Sequence, residues 1–364
     1  LVANTTACQN TAVGWRSMLA NTTGDLNTAI GECALATNTT ADNNTAVGAR
    51  ALKANTTGAA NVAMGRNAME ANTTASDNTA IGTNALDSNT TGASNTAVGK
   101  SALDSNTTGT PNTAVGYFAL LLNTTGANNV AVGFNALKAG TTGSQNIGIG
   151  KYAGCGITTG SDNISIGRDS MTGVGTGSNN SSVGTLSLND NTTGATNSAF
   201  GVEALKENTT GSNNVALGGY SIAQNQTSSD NIGIGYFALH KVTQGCNVAV
   251  GNESGACSTT SVHSTFVGAY AGYNNTTGDC SVFLGGQAGY NNTTGSNNIG
   301  IGYLSATDAV RNVTTGSNNI VLGNNSSATA HIKIDWTVTS DLRDKTQIKD
   351  VKHGLDFVNQ ITPI

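Results

Sequence analysis

The stretch NTAVGKSALDSNTTGTPNTAVG (residues 95–116) spells the same five residues twice, from Asn95 to Gly99 and again, after a step of 17, from Asn112 to Gly116. The spacing holds along nearly the whole chain. The closing glycine recurs from Gly14 in unbroken steps of 17 to Gly235, then a step of 16 reaches Gly251. Steps of 17 continue to Gly302, and a step of 21 ends at Gly323, making 19 copies. Self-similarity at such a period marks a repeat architecture, in which each unit buries its apolar face only against its neighbours.

Numbered from its first asparagine, one copy reads Asn-Thr-Ala-Val-Gly-x-x-Ala-Leu-x-x-Asn-Thr-Thr-Gly-x-x. Column four is a large apolar residue in all 19 copies, Val13, Ile30, Met64, Phe200 and Leu322 among them. Column two is Thr, Val, Ile or Ser. Positions two apart share one face of a strand, and β-branched residues suit a pleated surface. We therefore expect columns two and four to face one interior, joined from across the turn by the leucines of column nine, such as Leu52, Leu86 and Leu103. A helical repeat is excluded, because two Asn-Thr/Gly clusters in every copy leave no segment long enough for a stable helix. The expected fold is all-β: a parallel β-solenoid (β-roll) of about 19 coils, each with two short strands and two turns. Stacked at roughly 4.8 Å per strand, the coils would form a rod on the order of 90 Å long.

Column three is Ala, Gly or Ser in 16 of 19 copies, with Phe266, Phe283 and Val321 the exceptions. Pointing away from columns two and four, it is expected to meet neighbouring chains closely packed around an axis. Column one is Asn in 17 of 19 copies, broken by Ser264 and Ser281. Repeated asparagines at a strand edge can bond turn backbone and stack into a ladder. The invariant glycine of column five suits a corner of positive φ.

Composition agrees with an elongated array. Charged residues are 10% of the chain, well below the usual quarter. Low charge and 47 glycines would suit disorder, but disorder does not require apolar residues in strict columns. The net charge of -5 gives no basic footprint for nucleic acid, and the sequence holds no apolar run long enough to span a membrane. The chain opens inside a repeat without Met, as a fragment would, and is silent about its own export.

Asn-x-Thr is the N-glycosylation acceptor pattern. Among its occurrences are Asn4, Asn21, Asn38, Asn55, Asn72, Asn89, Asn106, Asn123, Asn191, Asn208, Asn275, Asn292 and Asn312. Where the asparagine is lost, at Gly140, Ile157, Val174 and Ser258, the threonine two places on survives, which favours a structural role. Adjacent threonines cannot both point outward from a regular strand, so a flat ice-binding face is disfavoured. The six cysteines lie in scattered columns, mostly several coils apart, and the four histidines show no metal spacing. No metal or cofactor is expected. Aromatic residues follow the corner glycine at Trp15, Tyr117, Phe134, Tyr236 and Tyr303, suited to packing between chains or to stacking on sugars. The repeat's acids, such as Asp104 and Glu203, sit singly at variable positions and do not form a glycosidase pair.

After Gly323 the composition changes. Residues 331–364 hold 10 of the 37 charged residues, and Ile348, Val351, Leu355 and Val358 make the chain's first helical stripe. SDLRDK (residues 340–345) followed by this helix resembles the start of the endosialidase-type intramolecular chaperone domain at the C-terminus of phage tail spikes and fibres. The resemblance is confined to the stretch 340–364 and departs from the family pattern at Asp344, where an apolar residue is usual. It implies assembly of three chains followed by self-cleavage between Thr339 and Ser340, with Ser340 as nucleophile and Lys345 as its base; Asp341 and Arg343 also fit. The repeats are similar to those of phage fibres and, more loosely, to trimeric autotransporter heads, which implies a homotrimer. The expected organisation is a solenoid shaft over 1–330, a linker strand over 331–339 and the start of the chaperone over 340–364. The expected function is a structural and adhesive fibre on a virion surface or otherwise extracellular, self-associating and contacting host-surface glycans. The alternative is a secreted, N-glycosylated filament or surface adhesin of a cell.

Overall fold

In the computed structural model, residues 3–173, 175–308 and 311–329 are described; Ser340, Lys345, the expected linker and the expected C-terminal helix lie outside them. Each copy forms one short strand, from β1 (Thr11–Val13) and β2 (Thr28–Ile30) to β19 (Ile320–Leu322). Every strand pairs in parallel with the next, column on column, as in Thr96↔Thr113, Ala97↔Ala114 and Val98↔Val115. The result is one parallel β-solenoid with the expected period.

The interior is the reverse of the expected one. Column three points in: Ala29, Ala46, Ala97 and Ala114 have no exposed surface, whereas Val115 and Val132 of column four are 36% and 37% exposed. The alternation is as expected; the face that lies inside is not. The coil is too narrow for a large side chain on the strand. A Cβ on Gly148, in column three, would lie 2.7 Å from Leu137 Cγ and 3.0 Å from the Ala153 carbonyl oxygen. Columns eight and nine of the opposite wall thus fill the space, and room is left only for Ala, Gly or Ser. Column three is therefore not the contact between chains.

The second expected strand is also absent, because that arm is a turn. Columns seven and nine both take left-handed backbone, as at Arg50 (φ 63°) and Leu52 (φ 49°). Each such non-glycine residue costs about 1–2 kcal/mol. Hydrogen bonds to the next coil offset the strain, for example Leu52 N–H to Ala68 C=O (3.0 Å) and Ala54 N–H to Glu70 C=O (3.0 Å). The column-five glycine does adopt positive φ, 134° at Gly48, and a Cβ there would sit 2.5 Å from the Gly65 carbonyl oxygen. Conformation and close approach both demand glycine.

The exceptions in column three obey the same volume rule. In β16 (Thr265–Val267) and β17 (Val282–Leu284) the inward residues are Phe266 and Phe283, stacked with centroids 5.9 Å apart. Column nine there is Gly255, Gly272 and Gly289 in place of leucine. A Cβ on Gly272 would lie 2.4 Å from the Phe266 ring, and one on Gly289 2.4 Å from Phe283. Between columns three and nine, one large residue per layer is the limit, supplied by either wall.

Gly289→Leu alone should therefore destabilise the C-terminal coils through overlap, and Phe283→Ala alone should cost about 3–5 kcal/mol through the cavity it opens. The double variant recreates the ordinary Ala/Leu layer. Thermal unfolding should place it above both single variants, and simple additivity of the two losses would refute the volume rule.

Candidate functional site

Two asparagine columns run up the inside of the turns. In column one, Asn27 Oδ1 accepts the Asn44 N–H (2.9 Å), and Asn27 Nδ2 donates to the Ala41 carbonyl at the end of the same copy (2.8 Å). The expected ladder of column one is thus present. In column twelve, Asn38 Nδ2 donates to Asn21 Oδ1 (2.8 Å) and to the Ala41 carbonyl (3.0 Å). Asn55 repeats this on Asn38 Oδ1 and the Gly58 carbonyl, both at 2.9 Å. Buried amides are costly unless paired, and both Nδ2 protons of Asn38 and of Asn55 are used.

These column-twelve residues are the glycosylation acceptors of the sequence. Asn21, Asn38, Asn55, Asn72, Asn89, Asn106, Asn123, Asn191, Asn208, Asn275 and Asn292 are all buried. In the folded coil their amides are enclosed. Asn4 and Asn312 are exposed. One signal in the sequence marks column twelve as interior: where its asparagine is replaced, Ile157, Val242 and Val313 stand in its place and join the hydrophobic core. Of the paired threonines the first is structural: Thr141 Oγ1 donates to the Thr158 carbonyl (3.3 Å) even beside Gly140, whereas Thr142, the acceptor pattern's own threonine, is exposed.

The ladder breaks at Gly140. Asn123 donates to Asn106 Oδ1 (2.8 Å) and to the Gly126 carbonyl (3.0 Å), but its own Oδ1 is buried without a partner. A Cβ on Gly140 would meet nothing closer than 3.3 Å.

On the outer surface, column ten brings Lys53, Glu70, Asp87 and Asp104 into successive coils. Lys53 and Arg50 both pair with Glu70, Lys53 at 3.5 Å, contacts that contribute little at an exposed site. Asp87 is half-buried and its Oδ1 has no partner. Burial, with the charges of Asp104 and Glu70 adding to it, raises its carboxyl to about 6. Among the described residues no group of three or more His, Cys, Asp or Glu side chains is placed to hold a metal ion. All six cysteines are free.

The aromatic residues after the corner glycine are exposed, and those in neighbouring coils stack. Tyr117 and Phe134 lie parallel with centroids 5.4 Å apart, and Lys100 Nζ sits 5.6 Å from the Tyr117 ring. Tyr236, Phe237, His240, Lys241, Glu253 and Tyr273 line a surface groove of about 450 Å³. Trp15 and Tyr303 stand near opposite ends of the stack, both exposed.

The outer face of the strands is a long uncharged surface, with column four apolar throughout and column two Thr, Ser, Val or Ile. Columns two and four carry no charged residue in any of the 19 coils. Val13, Ile30, Met64, Ile81, Phe200 and Leu217 of column four are among its exposed large side chains.

No family model matches this sequence, and no curated protein is similar to it.

Two outcomes follow from the ladder and the acid row. Gly140→Asn should give Asn123 Oδ1 its donor and bond the Gly143 carbonyl as well, raising stability by about 1 kcal/mol; a lower melting temperature would show that the gap is not a missing rung. For Asp87, the folded carboxyl keeps its proton up to about pH 6, whereas the unfolded one releases it near 3.8. The folded state binds more protons between those values, so stability should fall as pH rises from about 4 to 6. Asp87→Asn should flatten that part of the pH–stability profile, which an unchanged slope would contradict.

Proposed function

We propose that this chain is the shaft of a structural and adhesive fibre, borne on a virion surface or otherwise outside a cell, that self-associates as a homotrimer. The observation that carries the reading is the stack itself: one turn-and-ladder solution repeated for 19 strands in register. Such an array extends by nearest-neighbour contacts and suits a spacer better than a pocketed enzyme. The exposed aromatic rows, such as Tyr117 with Phe134, offer ring faces to host-surface glycans, and SDLRDK fits a trimerising chaperone that cuts at Ser340 with Lys345 as base. A glycan-coated filament is the weaker reading, because the column-twelve acceptor asparagines, such as Asn21, Asn38 and Asn55, are buried in the folded coil.

Sedimentation velocity of the purified chain, with negative-stain electron microscopy of the same sample, tests the proposal. Rods with the mass of three copies of the 36.5 kDa chain are expected. A monomer at all accessible concentrations would overturn it.

A further inference from the structure

We infer that copies of this chain pack on one another through the outer strand face, columns two and four, with the buried column three uninvolved. The inference rests on the self-associating fibre reading and specifies the surface it uses.

Three observations converge on that face. It is apolar where a single chain would leave it wet: Val115, Val132, Ile149, Phe200 and Leu217 are each more than a third exposed. A solitary exposed valine needs no explanation, but a stripe of apolar residues exposed at intervals along the whole stack marks an interaction surface. Second, the face is free of charge in all 38 positions of its two columns. Charges stand elsewhere, at Glu70, Lys100 and Arg168, for example. Depletion of charge is the compositional mark of an interface core. Third, the face is large enough. Nineteen strands at roughly 4.8 Å, each about 10 Å wide, present on the order of 900 Å² per copy, comparable to the roughly 800 Å² per partner of a stable interface.

The period selects the occupant. Side chains of columns two and four recur at the strand spacing over the full stack, so a partner must present matching ridges at the same spacing. Another copy of this chain does so with every coil, so in the homotrimer three such faces would meet around one axis with their side chains interleaved. A lipid surface or an unrelated apolar protein would not require the strict β-branched or large apolar residue in column four of every coil.

The test compares two pairs of substitutions by sedimentation velocity and far-UV circular dichroism. Val115→Lys with Ile149→Lys places two charges on the face, two coils apart. Thr108→Lys with Thr142→Lys places the same charges on exposed threonines of column fourteen. Burying lysine in an apolar contact is strongly unfavourable, so the first pair should raise the dissociation constant at least about tenfold while the control pair assembles as wild type. If the lysine pair loses its circular dichroism signal, Val115→Thr with Ile149→Thr, which keeps the β-branched shape, carries the test and should also weaken assembly. Wild-type assembly retained by the face variants overturns the inference and leaves the fibre reading standing. A wild-type chain that is monomeric overturns both.

Discussion

An asparagine amide inside a narrow coil must find partners for two protons and an oxygen, and in this fold its own turn and the coils on either side provide them. Asn55 Nδ2 reaches Asn38 Oδ1, and Asn72 Nδ2 reaches Asn55 Oδ1, both at 2.9 Å. The interaction works only if successive coils hold the same residue at the same height, so it ties the period of the sequence to the rise of the stack. Length changes fall where no ladder runs. The coil shortened by one residue keeps Asn247 N–H on Asn231 Oδ1 (3.2 Å), and after the lengthened step near the end Asn319 N–H still reaches Asn298 Oδ1 (3.0 Å).

The width of the coil sets the remaining rules. With polar ladders lining the turns, little interior is left, and one large side chain per layer fills it. Leucine in column nine with alanine in column three is the common solution; phenylalanine in column three with glycine in column nine is the other. Between them, β10 (Ile164–Ile166) and β11 (Ser181–Val183) use serines: Ser170 Oγ lies 2.8 Å from Ser182 Oγ, and Ser182 Oγ donates to the Ser187 carbonyl (2.9 Å). Polar groups are tolerated at the centre because each finds a partner within the same layer or the next. The left-handed leucines of column nine are strained individually and held by the coils on either side.

The period, the parallel stacking, the positive-φ glycines and the column-one ladder were legible in the sequence, since each depends on a residue type recurring at fixed spacing. Which strand face lies inside was not. Val115 and Ala114 alternate in either case, and hydrophobicity favours the valine for the core. The stronger constraint was size: a column that admits alanine and glycine almost exclusively is the one under steric pressure. That clue was present in Ala97, Ala114 and Gly148, and in the Phe283–Gly289 exchange, but it becomes decisive only when the opposite wall is known to be close. Asn21 and Asn38 matched a glycosylation pattern because the repeat sets Thr23 and Thr40 two residues after them; Ile157, Val242 and Val313 in the same column pointed to its burial. The missing rung at Gly140 is visible only once column twelve is seen to be a ladder.

Hydrogen exchange of the asparagine side-chain amides, followed by NMR, tests the buried ladder most directly. The amides of Asn55, Asn72 and Asn89 should exchange only when coils separate, orders of magnitude more slowly than those of exposed Asn4 and Asn312. Exchange of the ladder amides as fast as that of Asn4 would mean that they face water, and the account of how this coil is closed would be wrong.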